Sequence, residues 1–152
     1  MKSRQVYQSD GLRTFVVVMD KGDEAFAELT AFAADQNVKA ASLTWVGAAH
    51  AVTLGYFDRD VSDYAYTDFN EQLEVLSLVG DIAMSEDQPA VHAHISLGRR
   101  DSSVIGGHLK KLIVWPTLEV VVTEVPGHLA KKRDPETGLA LIDLAQRNGD
   151  PA

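Results

Sequence analysis

The chain has 152 residues, of which 45% are hydrophobic and 24% are charged, a composition typical of one globular domain over residues 1–152 with a core at about 4–144. Because the chain contains no cysteine, disulfides and thiolate metal ligands are excluded. Its net charge of −8 disfavours binding to nucleic acid. No stretch is apolar enough for a signal peptide or a membrane span, so the sequence predicts a cytoplasmic protein with no membrane partner.

The first quarter of the chain predicts two strands followed by one helix. Residues 4–8 and 13–20 form two short segments, and the second is a continuous β-branched and aromatic run typical of a buried strand. Apolar side chains then recur at helical spacing, which predicts the main helix at about 23–36. Asp23 is a good N-cap for this helix, and Asn37 can end it in the left-handed conformation.

The middle of the chain predicts strands. Residues 39–57 are long enough for two strands, or for one strand bent at Gly47. A polar, Asp-rich connection follows, and residues 71–84 then alternate between two faces. We expect three side chains of this second segment to share one face: Leu73, Val75 and Ser77.

The last third predicts a strand with histidines, a glycine-containing turn, and a strand at 113–125 with Pro116 at an edge or bulge. A basic, turn-rich segment at 126–138 leads to a short strand at 139–144, and 145–152 are expected to be a flexible tail. The connections are too short for helical crossovers. The predicted fold class is therefore α+β, with a mostly antiparallel sheet of seven or eight strands and one main helix.

Three of the five histidines fall in one stretch. His92 and His94 are two residues apart on a predicted strand and so share a face, while His108 follows a Gly-Gly pair that would let the backbone approach closely or bulge. Three imidazoles suit zinc, which in reactive sites takes three protein ligands and a water. The alternative is a pair of solvent-facing strand histidines that bind nothing.

Two glutamates are candidate partners for such ligands. Metal-bound histidines need acceptors that fix the tautomer, and Glu74 and Glu119 each interrupt an otherwise apolar strand. The alternative, that both simply face outward from the sheet, carries about equal weight.

Basic residues fall in three short clusters. They are solvated loop charges, or they gather on one face that binds nucleic acid. The residues concerned are Arg99, Arg100, Lys110, Lys111, Lys131, Lys132 and Arg133.

Four motifs in order resemble one known family. They are LEVLSLVGDI at 73–82, PAVHAHISL at 89–97, GGHL at 106–109 and TLEVVV at 117–122. Together they are similar to the PPC (plants and prokaryotes conserved) domain, also known as DUF296. Segments KGDEAFAELTAFA and KRDPETGLALIDL extend the resemblance over about residues 4–144.

The resemblance implies a twisted, barrel-like sheet with one main helix, and a homotrimer. In prokaryotic members the corresponding histidines are associated with a bound metal, commonly Zn²⁺, whereas plant members are joined to DNA-binding AT-hooks. This chain has no Arg-Gly-Arg-Pro core of an AT-hook. We therefore expect a zinc- or other divalent-metal-binding homotrimer that binds or acts on a small molecule, with enzymatic activity left open. The alternative is a DNA-binding transcriptional regulator.

Overall fold

The computed structural model describes residues 1–125 and 129–144, which contain nine strands and one helix. Residues 126–128 of the basic segment and the expected tail at 145–152 lie outside the described residues. Within the described ranges, no helix has the length and apolar character needed to span a membrane. The elements are β1 Lys2–Ser9, β2 Leu12–Met19, α1 Ala25–Asp35, β3 Ala41–Asp58, β4 Asp63–Phe69, β5 Leu73–Ser85, β6 Gln88–Gly98, β7 Val104–Glu124, β8 Lys131–Arg133 and β9 Ala140–Ile142.

Seven of the strands form one antiparallel sheet in the order β1-β2-β7-β6-β5-β3-β4. Because β7 also pairs with β3, the strands β7, β6, β5 and β3 close into a ring. The remaining pair, β8 and β9, forms a small second sheet. The prediction of an α+β fold with a twisted, mostly antiparallel, barrel-like sheet and one main helix is confirmed.

The core lies on the inner sides of the ring strands. Leu43, Leu78 and Leu112 are almost completely shielded from solvent there. The helix α1 packs onto the same core, and its Phe32 contacts Phe15 of β2 edge-to-face with ring centroids 5.2 Å apart. Among the described residues, every residue that is buried as a whole in this core is hydrophobic.

The helix begins one residue later than its sequence suggests. Asp23 is not the N-cap, because its carboxylate accepts a hydrogen bond from the backbone N–H of Asp20 at 2.9 Å and contacts the N-terminal ammonium at 3.0 Å. Glu24 caps the helix instead, accepting from two backbone N–H groups of the first turn. The expected stop is confirmed, since Asn37 has a φ of 52°.

The region around Gly47 forms one bent strand. β3 is continuous, and its pairing with β5 and β7 shifts register next to Gly47. A Cβ there would lie 2.5 Å from the carbonyl oxygen of Thr117, and the residue has a φ of 147°. Pro116 lies in the short stretch of β7 that has no partner on β3 at this register shift. This position is expected for a residue without a backbone N–H.

A bulge in β5 changes which side chains face the core. The pairing of β5 with β6 slips between Val75 and Ser77. As a result Leu73 and Val75 are buried, but Ser77 is exposed and Leu78 takes the inner position, so the expected grouping of the first three was wrong. Beyond the bulge, the new phase places Asp81 on β5 opposite a histidine of β6.

Candidate metal centre

Strand pairing brings three histidines together on the outer surface. His92 and His94 project from the same side of β6, as expected for alternating positions, while Ala93 and Ile95 are buried. His108 on β7 lies directly opposite His94 in the register. The three ring centroids are 5.2, 5.3 and 5.4 Å apart, and one nitrogen of each ring lies within 4.8 Å of the others.

His108 belongs to a strand and not to a glycine-containing turn, which corrects the sequence-based expectation. β7 runs unbroken through Gly106 and Gly107. A Cβ on Gly106 would lie 2.5 Å from the carbonyl oxygen of Ile95, and one on Gly107 would lie 3.0 Å from that of Gly55. The two glycines therefore let β7 approach both neighbouring strands closely, and this approach places His108 beside the β6 histidines.

The surroundings lower the pKa of two of these imidazoles, His94 and His108. Burial lowers the pKa of His108 to about 4, with further contributions from His92, His94, Lys110 and Lys131. Burial, followed by the charge of His92, also lowers the pKa of His94. Neutral imidazole is the form that binds metal ions, so both shifts favour the form of His94 and His108 that a metal requires.

One nitrogen in the cluster lacks a partner. Nδ1 of His108 is buried, and it neither donates nor accepts a hydrogen bond among the described residues. The ring is held in place by Tyr64, which stacks on it with centroids 4.6 Å apart. An unpaired buried nitrogen is costly, and a metal ion shared by the three rings would give this imidazole a partner. The donor set therefore fits zinc or a similar divalent ion.

His92 contacts an ion pair formed by Asp81 and Lys131. Asp81 lies opposite His92 in the β5–β6 register, with its Oδ2 3.4 Å from Nδ1 of His92. Its other oxygen is 2.8 Å from Nζ of Lys131, whose side chain is only 5% exposed. Burial raises the pKa of Asp81, but its close contacts with His92 and Lys131 outweigh this effect and leave the pKa below its usual value.

Sequence reasoning missed Asp81 and grouped Lys131 with the nucleic-acid candidates. One signal was available, because Asp81 is the acidic residue in the apolar segment LSLVGDIAM. A two-residue turn at Glu86 and Asp87 fixes the register that sets Asp81 against His92. Without knowledge of that turn, the pairing of Asp81 with His92 could not be predicted from the sequence.

The two glutamates proposed as histidine partners lie elsewhere. Glu74 pairs with Gly98 at the far end of the β5–β6 ladder, where it lines a separate pocket. Glu119 pairs with Val46 and Val18, well along β7 from the histidines. The structure brings neither carboxylate to the cluster, because each lies at a distant register position of its strand.

The basic residues are spread over three elements. Arg99 lies in the β6–β7 connection, with Nη2 2.9 Å from Glu71, and Arg100 follows it on the surface. Lys110 and Lys111 are exposed on β7. The last three residues form β8, where Lys131 turns inward to its carboxylate while the side chains after it are exposed: Lys132 and Arg133. Arg99 and Lys131 are each paired with a carboxylate, so they are less available to contact the phosphates of a nucleic acid.

A cleft of about 410 Å³ opens in front of the histidines, and we call it the metal-site cleft. Its polar floor includes the three imidazoles and Lys131, and Tyr64 forms part of the wall. Apolar side chains of the C-terminal hairpin, Leu139 and Leu141, line another side. A pocket of about 560 Å³ elsewhere is lined by Glu71, Arg99 and their neighbours and contains no histidine. The metal-site cleft therefore offers a small molecule both a polar end and an apolar wall.

Comparisons with known proteins agree on one family. Residues 7–126 match the sequence profile of the Plants and Prokaryotes Conserved domain. A metal-containing protein from Archaeoglobus fulgidus is 32% identical, with a TM-score of 0.80, 85% of this chain covered and 91% of that chain covered. A plant- and prokaryote-conserved protein from Pyrococcus horikoshii is 28% identical, with a TM-score of 0.82 and coverages of 86% and 91%. A protein from Bacteroides thetaiotaomicron, described as a candidate DNA-binding protein, is 28% identical, with a TM-score of 0.84 and coverages of 88% and 93%. No curated protein sequence matches the chain.

Proposed function

The chain belongs to the Plants and Prokaryotes Conserved domain family, and on this premise we propose that it is a single-domain, metal-binding protein. His92, His94 and His108 would hold zinc or another divalent ion. The observation that carries the proposal is the convergence of three imidazole nitrogens within 4.8 Å of one another. The description of the Archaeoglobus relative as metal-containing supports it.

The ligand set favours a site that also binds a small molecule. When bound, a zinc ion held by three histidines supplies Lewis acidity and an open coordination position. The metal-site cleft opens in front of the three histidines, and Leu139 and Leu141 give it an apolar wall. Tyr64 keeps the His108 ring in place by stacking. These features support binding of a small molecule at the metal, with or without a reaction.

We also propose that the protein assembles as a homotrimer, as its family resemblance implies. An apolar patch on the outer face of the sheet supports self-association. Three valines of this patch are exposed: Val46 by 56%, Val79 by 61% and Val121 by 39%. Val79 on β5 and Val121 on β7 both pair with Thr44 of β3, the strand between them. Exposed apolar surface of this kind is commonly buried in a protein contact.

Removal of the ligands tests the metal proposal. We expect the purified wild-type protein to contain about one metal ion per chain by elemental analysis, and a His92→Ala/His94→Ala double variant to contain none. His50→Ala is the matched control, because His50 is exposed on β3 next to Trp115 and lies outside the cluster. Equal metal content in the wild type and the double variant, or none in either, would rule the proposal out.

DNA binding is the second candidate function. It is motivated by the description of the Bacteroides relative and by two exposed lysines on β7, Lys110 and Lys111. A fluorescence anisotropy titration with a mixed-sequence duplex at low salt tests it, since electrostatic binding is strongest there. Saturable binding that weakens in a Lys110→Ala/Lys111→Ala variant would support this function, and no binding at low salt would remove it.

A further inference from the structure

We propose that Asp81 and Lys131 are positioning residues of the metal site. Asp81 holds the imidazole proton of His92 on Nδ1, which leaves the Nε2 lone pair for the ion, and Lys131 holds Asp81 in place. This inference rests on the proposed metal-binding function and assigns to the site two residues that make no contact with the ion.

The first step is the contact between Asp81 and His92. The β5–β6 turn has left-handed φ angles at Glu86 and Asp87, 49° and 63°, and it sets the two strands in a register that pairs Asp81 with His92. Oδ2 of Asp81 then lies 3.4 Å from Nδ1 of His92. A neutral imidazole carries its proton on one nitrogen only, so a carboxylate at Nδ1 directs the other nitrogen toward a metal.

The second step is the burial of Lys131. Its side chain is 5% exposed, and its Nζ lies 2.8 Å from Oδ1 of Asp81. A buried ammonium is costly unless it is paired, so the lysine and the carboxylate hold each other in position. With one oxygen of Asp81 committed to Lys131, the other oxygen is left facing His92.

The third step concerns where Lys131 comes from. It lies on β8, beyond the matched range of 7–126. The hairpin is attached to the main sheet by the backbone N–H of Met84, which donates to the carbonyl oxygen of Leu129 at 2.8 Å, and by a bridge between Met84 and Ala130. The orientation of a ligand on β6 therefore depends on a C-terminal hairpin that lies beyond the residues matched to the family profile.

The competing explanation is that Asp81 and Lys131 form an ion pair that serves stability alone. Asp81→Asn separates the two explanations because it keeps the size of the side chain. In that variant Lys131 would take the amide oxygen, and the amide NH₂ would face Nδ1 of His92. Nδ1 would then have to accept, which moves the proton to Nε2, the nitrogen needed by the metal.

The experiment has two readouts. Long-range ¹H–¹⁵N NMR on metal-free protein, above the pKa range of histidine, reports the tautomer of His92. Competition with a chromophoric chelator reports zinc affinity for the wild type, Asp81→Asn and Lys131→Met. The matched control is Lys132→Met, an exposed lysine on the same short strand.

We expect the Nδ1–H tautomer in the wild type and the Nε2–H tautomer in Asp81→Asn. Zinc affinity should fall by about 10–100-fold in Asp81→Asn and Lys131→Met, and stay unchanged in Lys132→Met. An unchanged tautomer with wild-type affinity in Asp81→Asn, or equal affinities in the two lysine variants, would overturn the inference. If Lys131→Met fails to fold, Asp81→Asn decides alone. If the wild type binds no zinc, the proposed function fails, while the tautomer comparison still decides the role of Asp81.

Discussion

Replacing Gly106 with alanine should disturb both the sheet and the metal site. The added Cβ would lie 2.5 Å from the carbonyl oxygen of Ile95, whereas ordinary contacts begin at 3.4 Å, so the strands must separate by up to about 0.9 Å (3.4 minus 2.5). The obstacle is backbone and cannot rotate away. Overpacking of this kind costs about 1–3 kcal/mol. Because His108 lies two residues further along β7 and opposite His94, the same shift moves one ligand away from the others.

Gly98→Ala is the matched control for this prediction. Gly98 lies on the β6 strand of the same β6–β7 pair, but a Cβ added there would first meet a side-chain atom of Leu76, at 3.1 Å, and a leucine can adjust its rotamer. Urea unfolding of the metal-free proteins should show the loss in Gly106→Ala and a smaller change in Gly98→Ala, and zinc affinity should fall only in the first. Equal stability and equal zinc affinity in both variants would refute the close-approach explanation.

Three further predictions concern the rest of the fold. Glu24→Ala should lower the free energy of unfolding by about 0.5–2 kcal/mol in urea titrations, because it removes the cap of α1; an unchanged midpoint would contradict the assigned cap. A hydrogen bond from Arg13 lowers the pKa of Glu124, so the charged pair stabilises the protein above the ordinary pKa of a glutamate and loses this effect as pH falls through the lowered value. Glu124→Gln should therefore be less stable than the wild type near neutral pH, with the difference shrinking in acid, and a pH-independent difference would argue against the pair. Val79→Asp should convert the proposed trimer to monomers in sedimentation velocity, and an assembly of the same size in wild type and variant would exclude Val79 from the contact.

Local patterns were sufficient to predict most of the strands and part of the site. The side chains of a strand alternate with a period of two, so the shared face of His92 and His94 could be read directly from their spacing. The helix was equally readable from its apolar spacing. Its cap was misassigned because Asp23 and Glu24 are adjacent acidic residues, and the competing contact at Asp20 and the N-terminus appears only in the folded chain.

Non-local information was needed for the rest of the site. The Gly106–Gly107 pair has turn chemistry locally, but here it serves close packing between strands, which no sequence window reveals. Asp81 and Glu74 are both acidic residues in the same apolar strand, and only the register set by the following turn decides which one faces a histidine. The turn itself, at Glu86 and Asp87, lacks the glycine or asparagine that usually marks a two-residue hairpin.

X-ray absorption at the metal edge tests the central claim most directly. For protein loaded with zinc, the account predicts three imidazole nitrogens at about 2.0–2.1 Å, with the remaining position taken by a light atom from water or a small molecule. The imidazole count should fall by one in His108→Ala. A shell made of oxygen alone, or an imidazole count unaffected by that substitution, would contradict the assignment of His92, His94 and His108 as the metal ligands.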